Sequence, residues 1–200
     1  LSTFQEFKSS GLKHFYDVIW RVYHALMSVG SALVITLSPF IARVLMQRQF
    51  YSAWPLISIL VLAFYLSAIN NFLGTIYQAY MRTKPLLVAT VVGAAACLAF
   101  TAILVHDWGI SAAAFGVFVG SLVIFVVRVI DVRRLMAINM RPIPTAITMT
   151  LLTVQSLVTS NQCNHYLFWS SICLLLIAFV QCYELKPLIT LIFTRRKYTA

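Results

Sequence analysis

Apolar residues run for about twenty positions at a time along this chain, and cations or short polar clusters interrupt the runs. Six runs can be marked, at residues 25–46, 55–80, 85–106, 109–130, 142–160 and 166–185. Coiled as a helix, the 22 residues of the first would reach about 33 Å, enough for a hydrocarbon core about 30 Å thick. Pro55 and Pro85 open the second and third runs, where a missing N–H leaves no helical bond unmade. The fifth run is rich in Thr and Ser. Together with the sixth it makes an uncharged stretch over 142–183, broken only by Asn161-Gln162-Cys163-Asn164-His165, which marks a tight turn. The pattern predicts an all-α polytopic membrane bundle of about six transmembrane helices, with short connections that make sequential helices antiparallel neighbours. Ahead of it, Phe15, Val18, Ile19, Val22 and Tyr23 recur at helical spacing, with Lys13, Asp17 and Arg21 on another face. Residues 1–24 therefore read as an amphipathic cytoplasmic or interfacial helix, and 186–200 as a basic cytoplasmic tail.

Composition strengthens the membrane reading. Only 10% of the residues are charged and 61% are apolar, with a mean hydropathy of +0.89. A soluble domain carries about 25% charged residues. The net charge of +10 would suggest nucleic acid in a soluble protein, but here the cations punctuate apolar runs rather than forming a basic arm. No nucleic-acid partner is expected, and the bilayer is the first partner. If alternate connections are assigned to opposite sides, 13 of the 15 Lys and Arg residues fall on one side and only Arg43 and Arg48 on the other. By the positive-inside rule both termini are cytoplasmic. Cys97, Cys163, Cys173 and Cys182 make no CxxC, so no disulfide or metal framework is expected. The chain begins at Leu1 with no signal peptide and reads as a piece of a longer protein.

Candidate chemistry is sparse. No HExxH, Walker loop, GxGxxG or plausible Ser-His-Asp order occurs, and the five acids all lie at or outside the ends of the runs. Neither an enzyme nor a cofactor is expected. The second run, however, embeds amides in oil: Asn70, Asn71 and Gln78. Asn71, Thr75 and Gln78 share one face with Gly74, a small polar strip that either bonds another helix or walls a hydrated cavity. Arg43, one turn inside the outer end of the first run and four residues after Pro39, either snorkels or meets an anionic head group. Arg128 is expected to pair with Asp131, three residues on. Ala89, Gly93, Cys97 and Thr101 on the third run, and Ala112, Gly116 and Gly120 on the fourth, form four-residue small stripes that predict a tight hairpin turning at Asp107-Trp108-Gly109.

The order of these features resembles a known family. One run ends near Phe50-Tyr51-Ser52-Ala53; a long run with a mid-helix glycine follows and closes on Arg82-Thr83-Lys84; then come a small-residue run, a turn, and Gly109-Ile110-Ser111-Ala112-Ala113-Ala114. Over about 20–135 this is similar to the C-terminal half of the polysaccharide flippases, the O-antigen and exopolysaccharide exporters of the multidrug/oligosaccharidyl-lipid/polysaccharide superfamily. Two departures stand out. Met46-Gln47-Arg48-Gln49-Phe50-Tyr51 lacks the glycine often found before the tyrosine, and Ser111 stands where a second glycine is common. The resemblance implies two pseudo-symmetric lobes around an alternating-access cavity, the first lobe lying upstream of this chain. It also implies a bacterial cytoplasmic (inner) membrane location and a lipid-linked oligosaccharide on a polyprenyl pyrophosphate as cargo. Asn71, Gln78, Thr75 and Arg43 are the candidate cavity residues. Two alternatives remain open: a small-molecule or multidrug exporter of the same fold, and a non-transporting scaffold or truncated remnant.

Overall fold

The computed structural model describes residues 2–45, 54–79, 81–135, 142–160 and 166–197, and side chains within 15–44, 54–79, 81–133, 143–160 and 166–186. They form six α-helices: α1 (Ser2–Leu45), α2 (Pro55–Ala79), α3 (Thr83–Trp108), α4 (Ile110–Leu135), α5 (Pro142–Ser160) and α6 (Tyr166–Lys197). Each is long and apolar enough to cross a membrane. The turns expected at 47–54 and 161–165, including the Phe50-Tyr51-Ser52-Ala53 motif, lie outside the described residues apart from Trp54.

The first two expected segments are one helix. α1 runs unbroken through 44 residues, about 66 Å of rise, so the interfacial helix over 1–24 and the span over 25–46 share an axis. The inward face also differs from the expected one. Tyr16, Ile19, Trp20 and Tyr23 pack into the core, while Phe15 and Val22 point outward. The cause is Phe72 of α2, whose ring lies 5.2 Å from that of Trp20, 5.4 Å from Tyr23 and 6.3 Å from Tyr16. An aromatic partner from another helix selected the face, and local periodicity could not show it. Further along α1, Pro39 lacks the N–H that would bond the Ile35 carbonyl. The Ser38 hydroxyl donates to that carbonyl instead, at 2.8 Å, so the helix continues through the proline.

α2 is the centre. Tyr65, Leu66, Ile69, Leu73, Ile76 and Tyr77 are almost fully buried, and α1, α4 and α5 pack around them. α3 is peripheral: it lies on α4, touches α2 lightly and buries only Ala89 and Gly93. The expected hairpin forms. Gly109 closes it at φ 53°, ψ −130°, a conformation open only to glycine, with its N–H on the Val105 carbonyl at 3.0 Å. The small stripes meet backbone to backbone, so that a Cβ on Gly93 would stand 2.9 Å from the Gly120 carbonyl oxygen.

The α2–α3 turn is less well matched to its sequence. Arg82 N–H bonds the Tyr77 carbonyl and Met81 N–H the Gln78 carbonyl, each at 3.0 Å, with Met81 at φ 54°. This is a Schellman ending with a methionine where glycine fits best. Met81 is 90% exposed, so its side chain contributes little packing. Met81→Gly should therefore stabilise the protein by about 1 kcal/mol, read as a rise in the unfolding midpoint in detergent.

Candidate functional site in the membrane-depth polar groups

Polar side chains that enter a lipid-solvated bundle must find partners inside it. Three clusters do so. The first joins α1, α5 and α6. Gln155 of α5 donates from Nε2 to the Ala32 carbonyl at 3.0 Å and lies 3.0 Å from the hydroxyls of Thr36 and Ser170. Its Oε1 is buried without a partner.

The second joins α2, α3 and α4 around Arg128. The expected pairing with Asp131 does not form. The guanidinium turns instead into the bundle, where Nη1 donates to the Asn70 carbonyl and Nη2 to the Thr90 hydroxyl at 3.1 Å. Tyr77 donates to the Arg128 carbonyl at 3.3 Å, and Asn70 Nδ2 donates to the Ser121 carbonyl at 2.9 Å. Arg128 is only 6% exposed, and both its Nε and Asn70 Oδ1 are buried without partners. Among the described residues no carboxylate pairs with this cation. Arg128 stands about 8 Å along the axis from the middle of α4, within the half-thickness of about 15 Å that a hydrocarbon core centred there would have. Sequence spacing suggested Asp131 because both lie on one helix; the alternative partners come from α2 and α3, which only the packing brings near.

The third cluster joins four helices. Tyr65 of α2 and His24 of α1 meet at 2.9 Å; His24 meets Gln181 of α6 at 3.3 Å; Gln181 donates to Thr148 of α5 at 3.0 Å. His24, Tyr65, Thr148 and Gln181 are all buried. No motif in the sequence singles out these residues. The signal that could have found them is Gln181, an amide inside an apolar run.

The strip chosen from the sequence points elsewhere. Asn71, Thr75 and Gln78 are exposed on the outer side of α2, while their neighbour Asn70 is buried. Thr75 bonds only its own helix, donating to the Phe72 carbonyl at 2.8 Å. The midpoint of α2 is residue 67, so Asn71 lies about 6 Å from it and Gln78 about 16 Å, at the hydrocarbon edge. Asn71 is the deep member. At about 100° per residue, Gly74 falls between Asn70 and Asn71 around the helix. Facing Gly74 are Arg128 Nη1, 3.7 Å from where a Cβ would stand, and Leu86 at 3.6 Å. The outward strip and the inward cation thus flank one glycine. Arg43 is exposed in the last turn of α1. One cavity, about 210 Å³, lies between Trp20, Phe125, Val129 and Met149, with Arg133 and Thr145 as its polar lining. None of the four candidate residues lines it.

Helices of this length and composition, with polar groups paired across the bundle, define a multi-pass helical membrane protein. Compared with family models, curated proteins and solved structures, the chain matches none.

Proposed function

We propose that this chain is part of a transporter that carries a lipid-linked oligosaccharide across a bacterial cytoplasmic membrane by alternating access, with both termini on the cytoplasmic side. The observation that carries the reading is the outward strip of Asn71, Thr75 and Gln78. The inward amide contact of this stretch is made on the other side, by Asn70 Nδ2 to the Ser121 carbonyl. A deep amide turned away from its bundle is stable where water or a further lobe of protein covers it, and costs several kcal/mol facing lipid. A hydrated cleft beside α2 meets that need. The amides and hydroxyl would bond a sugar, and Arg128, behind Gly74, supplies positive charge toward a pyrophosphate.

Thiol labelling tests this. In a cysteine-free background of the full-length protein, Asn71→Cys should react with a membrane-impermeant maleimide, whereas Phe64→Cys, exposed on an apolar part of α2, should not. Added polyprenyl-pyrophosphate oligosaccharide should slow the Asn71→Cys reaction, and a lipophilic cationic drug should leave it unchanged. Equal protection of both sites would remove the hydrated cleft. Slowing by the drug alone would replace the sugar carrier with a drug exporter.

A further inference from the structure

The hydrogens of the third cluster can be assigned by elimination. Thr148 spends its hydroxyl hydrogen on the Pro144 carbonyl at 2.8 Å, so its oxygen accepts from Gln181. An amide nitrogen only donates, so Gln181 Nε2 also donates to His24 Nδ1. Nδ1 is therefore an acceptor, the ring hydrogen sits on Nε2, and that N–H donates to the Tyr65 oxygen at 2.9 Å. The imidazole is neutral, with one basic lone pair, on Nδ1, held by a single long bond.

A space of about 20 Å³ opens on this group, lined by His24, Arg21, Thr145, Gln181 and Glu184. That is room for one water, and its walls offer enough polar partners to hold it. The groups facing His24 are few. α1 contributes Arg21 and, two turns back, Asp17, whose Oδ1 is buried without a partner; α2 contributes Tyr65; α5 contributes only the hydroxyls of Thr145 and Thr148; α6 contributes Gln181 and Glu184. Arg133 of α4 lines the neighbouring cavity on the far side of Trp20.

We infer that His24 is a reversible proton-binding site whose occupancy rewires the contact between α1, α5 and α6. A proton passed through the water space bonds to the Nδ1 lone pair and leaves the charge on the imidazolium. Nδ1–H then faces the Gln181 NH₂, donor against donor. The conflict is removed when the amide turns over and presents Oε1 to Nδ1–H. That oxygen also accepts from Thr148, whose hydroxyl leaves the Pro144 carbonyl. One proton thus changes a bond in the first turn of α5 and the bond from α6 to α1. In a transporter this is where a proton gradient would act on the helices. That extension rests on the proposed transport, whereas proton binding itself needs no substrate, so the two can fail separately.

Trp20 supplies the readout, because its ring lies 5.4 Å from His24 and a protonated imidazole quenches indole fluorescence on contact. The full chain in nanodiscs is titrated from about pH 8 to about pH 4, across the imidazole range. Wild type should show one reversible quenching step that is missing in His24→Gln and in Trp20→Phe, both checked for monodispersity. Gln181→Glu, which places a carboxylate on Nδ1, should move the midpoint upward by about 1–3 pH units. A wild-type trace that superimposes on His24→Gln overturns the inference. So does a step that Gln181→Glu fails to move, since a histidine with a merely structural role would leave the midpoint indifferent to its partner.

Discussion

Arg128→Met should give a protein that is more stable than wild type and, under the transport proposed above, a much poorer carrier. The guanidinium is buried within the bundle, its two hydrogen-bond partners, the Asn70 carbonyl and the Thr90 hydroxyl, are neutral, and its Nε bonds nothing. Placing an arginine near the centre of a membrane helix costs about 2.5–3.5 kcal/mol on insertion scales, and exchanging buried charge for an apolar side chain of similar volume is often neutral or favourable. Met fills the same space without the charge. Asn70 keeps its bond to Ser121, and its carbonyl remains within the α2 ladder. A gain of about 2 kcal/mol, or roughly 5 °C in the unfolding midpoint, is expected. If the chain carries lipid-linked sugar as proposed, that transport in proteoliposomes should fall at least about tenfold, since losing one charged contact to phosphate would be worth more than about 1.4 kcal/mol. A destabilised Arg128→Met would show that the residue is a structural clamp across α2, α3 and α4. A stabilised variant with full transport would remove Arg128 from the cargo path.

The second large effect concerns the α3–α4 hairpin. Gly120→Leu should detach α3. A Cβ on Gly120 would stand 2.8 Å from Cys97 Cβ and 2.9 Å from the Gly93 carbonyl oxygen. The second neighbour is backbone, so it cannot swing aside, and the helices must part along the stripe. Lipid offers no hydrophobic force to hold them together once close packing is lost. α3 has little else to hold it, being only lightly packed on α2. Overpacking costs about 1–3 kcal/mol even where a core can adjust, and here the upper end is expected, roughly 10 °C in midpoint with loss of monodisperse yield. Gly30→Leu is the control. Nothing stands within 4 Å of a Cβ there, so the same chemical change should move the midpoint by less than about 2 °C. Similar losses at both positions would mean that a bulky side chain on any helix is damaging, and that the small stripe has no special role.

Much of this architecture is legible from one dimension. Span length, proline placement, the glycine turn at 109 and the small stripes on α3 and α4 are local properties. Lipid forces each backbone to satisfy itself within its own helix, so apolar runs of this length specify helices almost without reference to neighbours. The same locality sets what the sequence leaves open. Within one helix Asp131 is the natural partner for Arg128, and the inward face of α1 is set by Phe72, which lies far along the chain. The polar strip on α2 is legible as a face, but its direction is set by the packing, which buries Asn70 and leaves Asn71 exposed.

The sequence by itself determined that lipid is the solvent, how many helices cross it, which two pair most closely, and that α2 carries amides where amides are costly. Only the tertiary structure decided which amide turns inward, that a guanidinium is buried beside it without a carboxylate, and that His24 sits between helices whose polar groups are distant in sequence. The physical reason is the difference in range. Backbone satisfaction and helix length act over one or two turns, whereas a buried polar side chain is defined by whatever atoms of other helices come within about 3 Å of it.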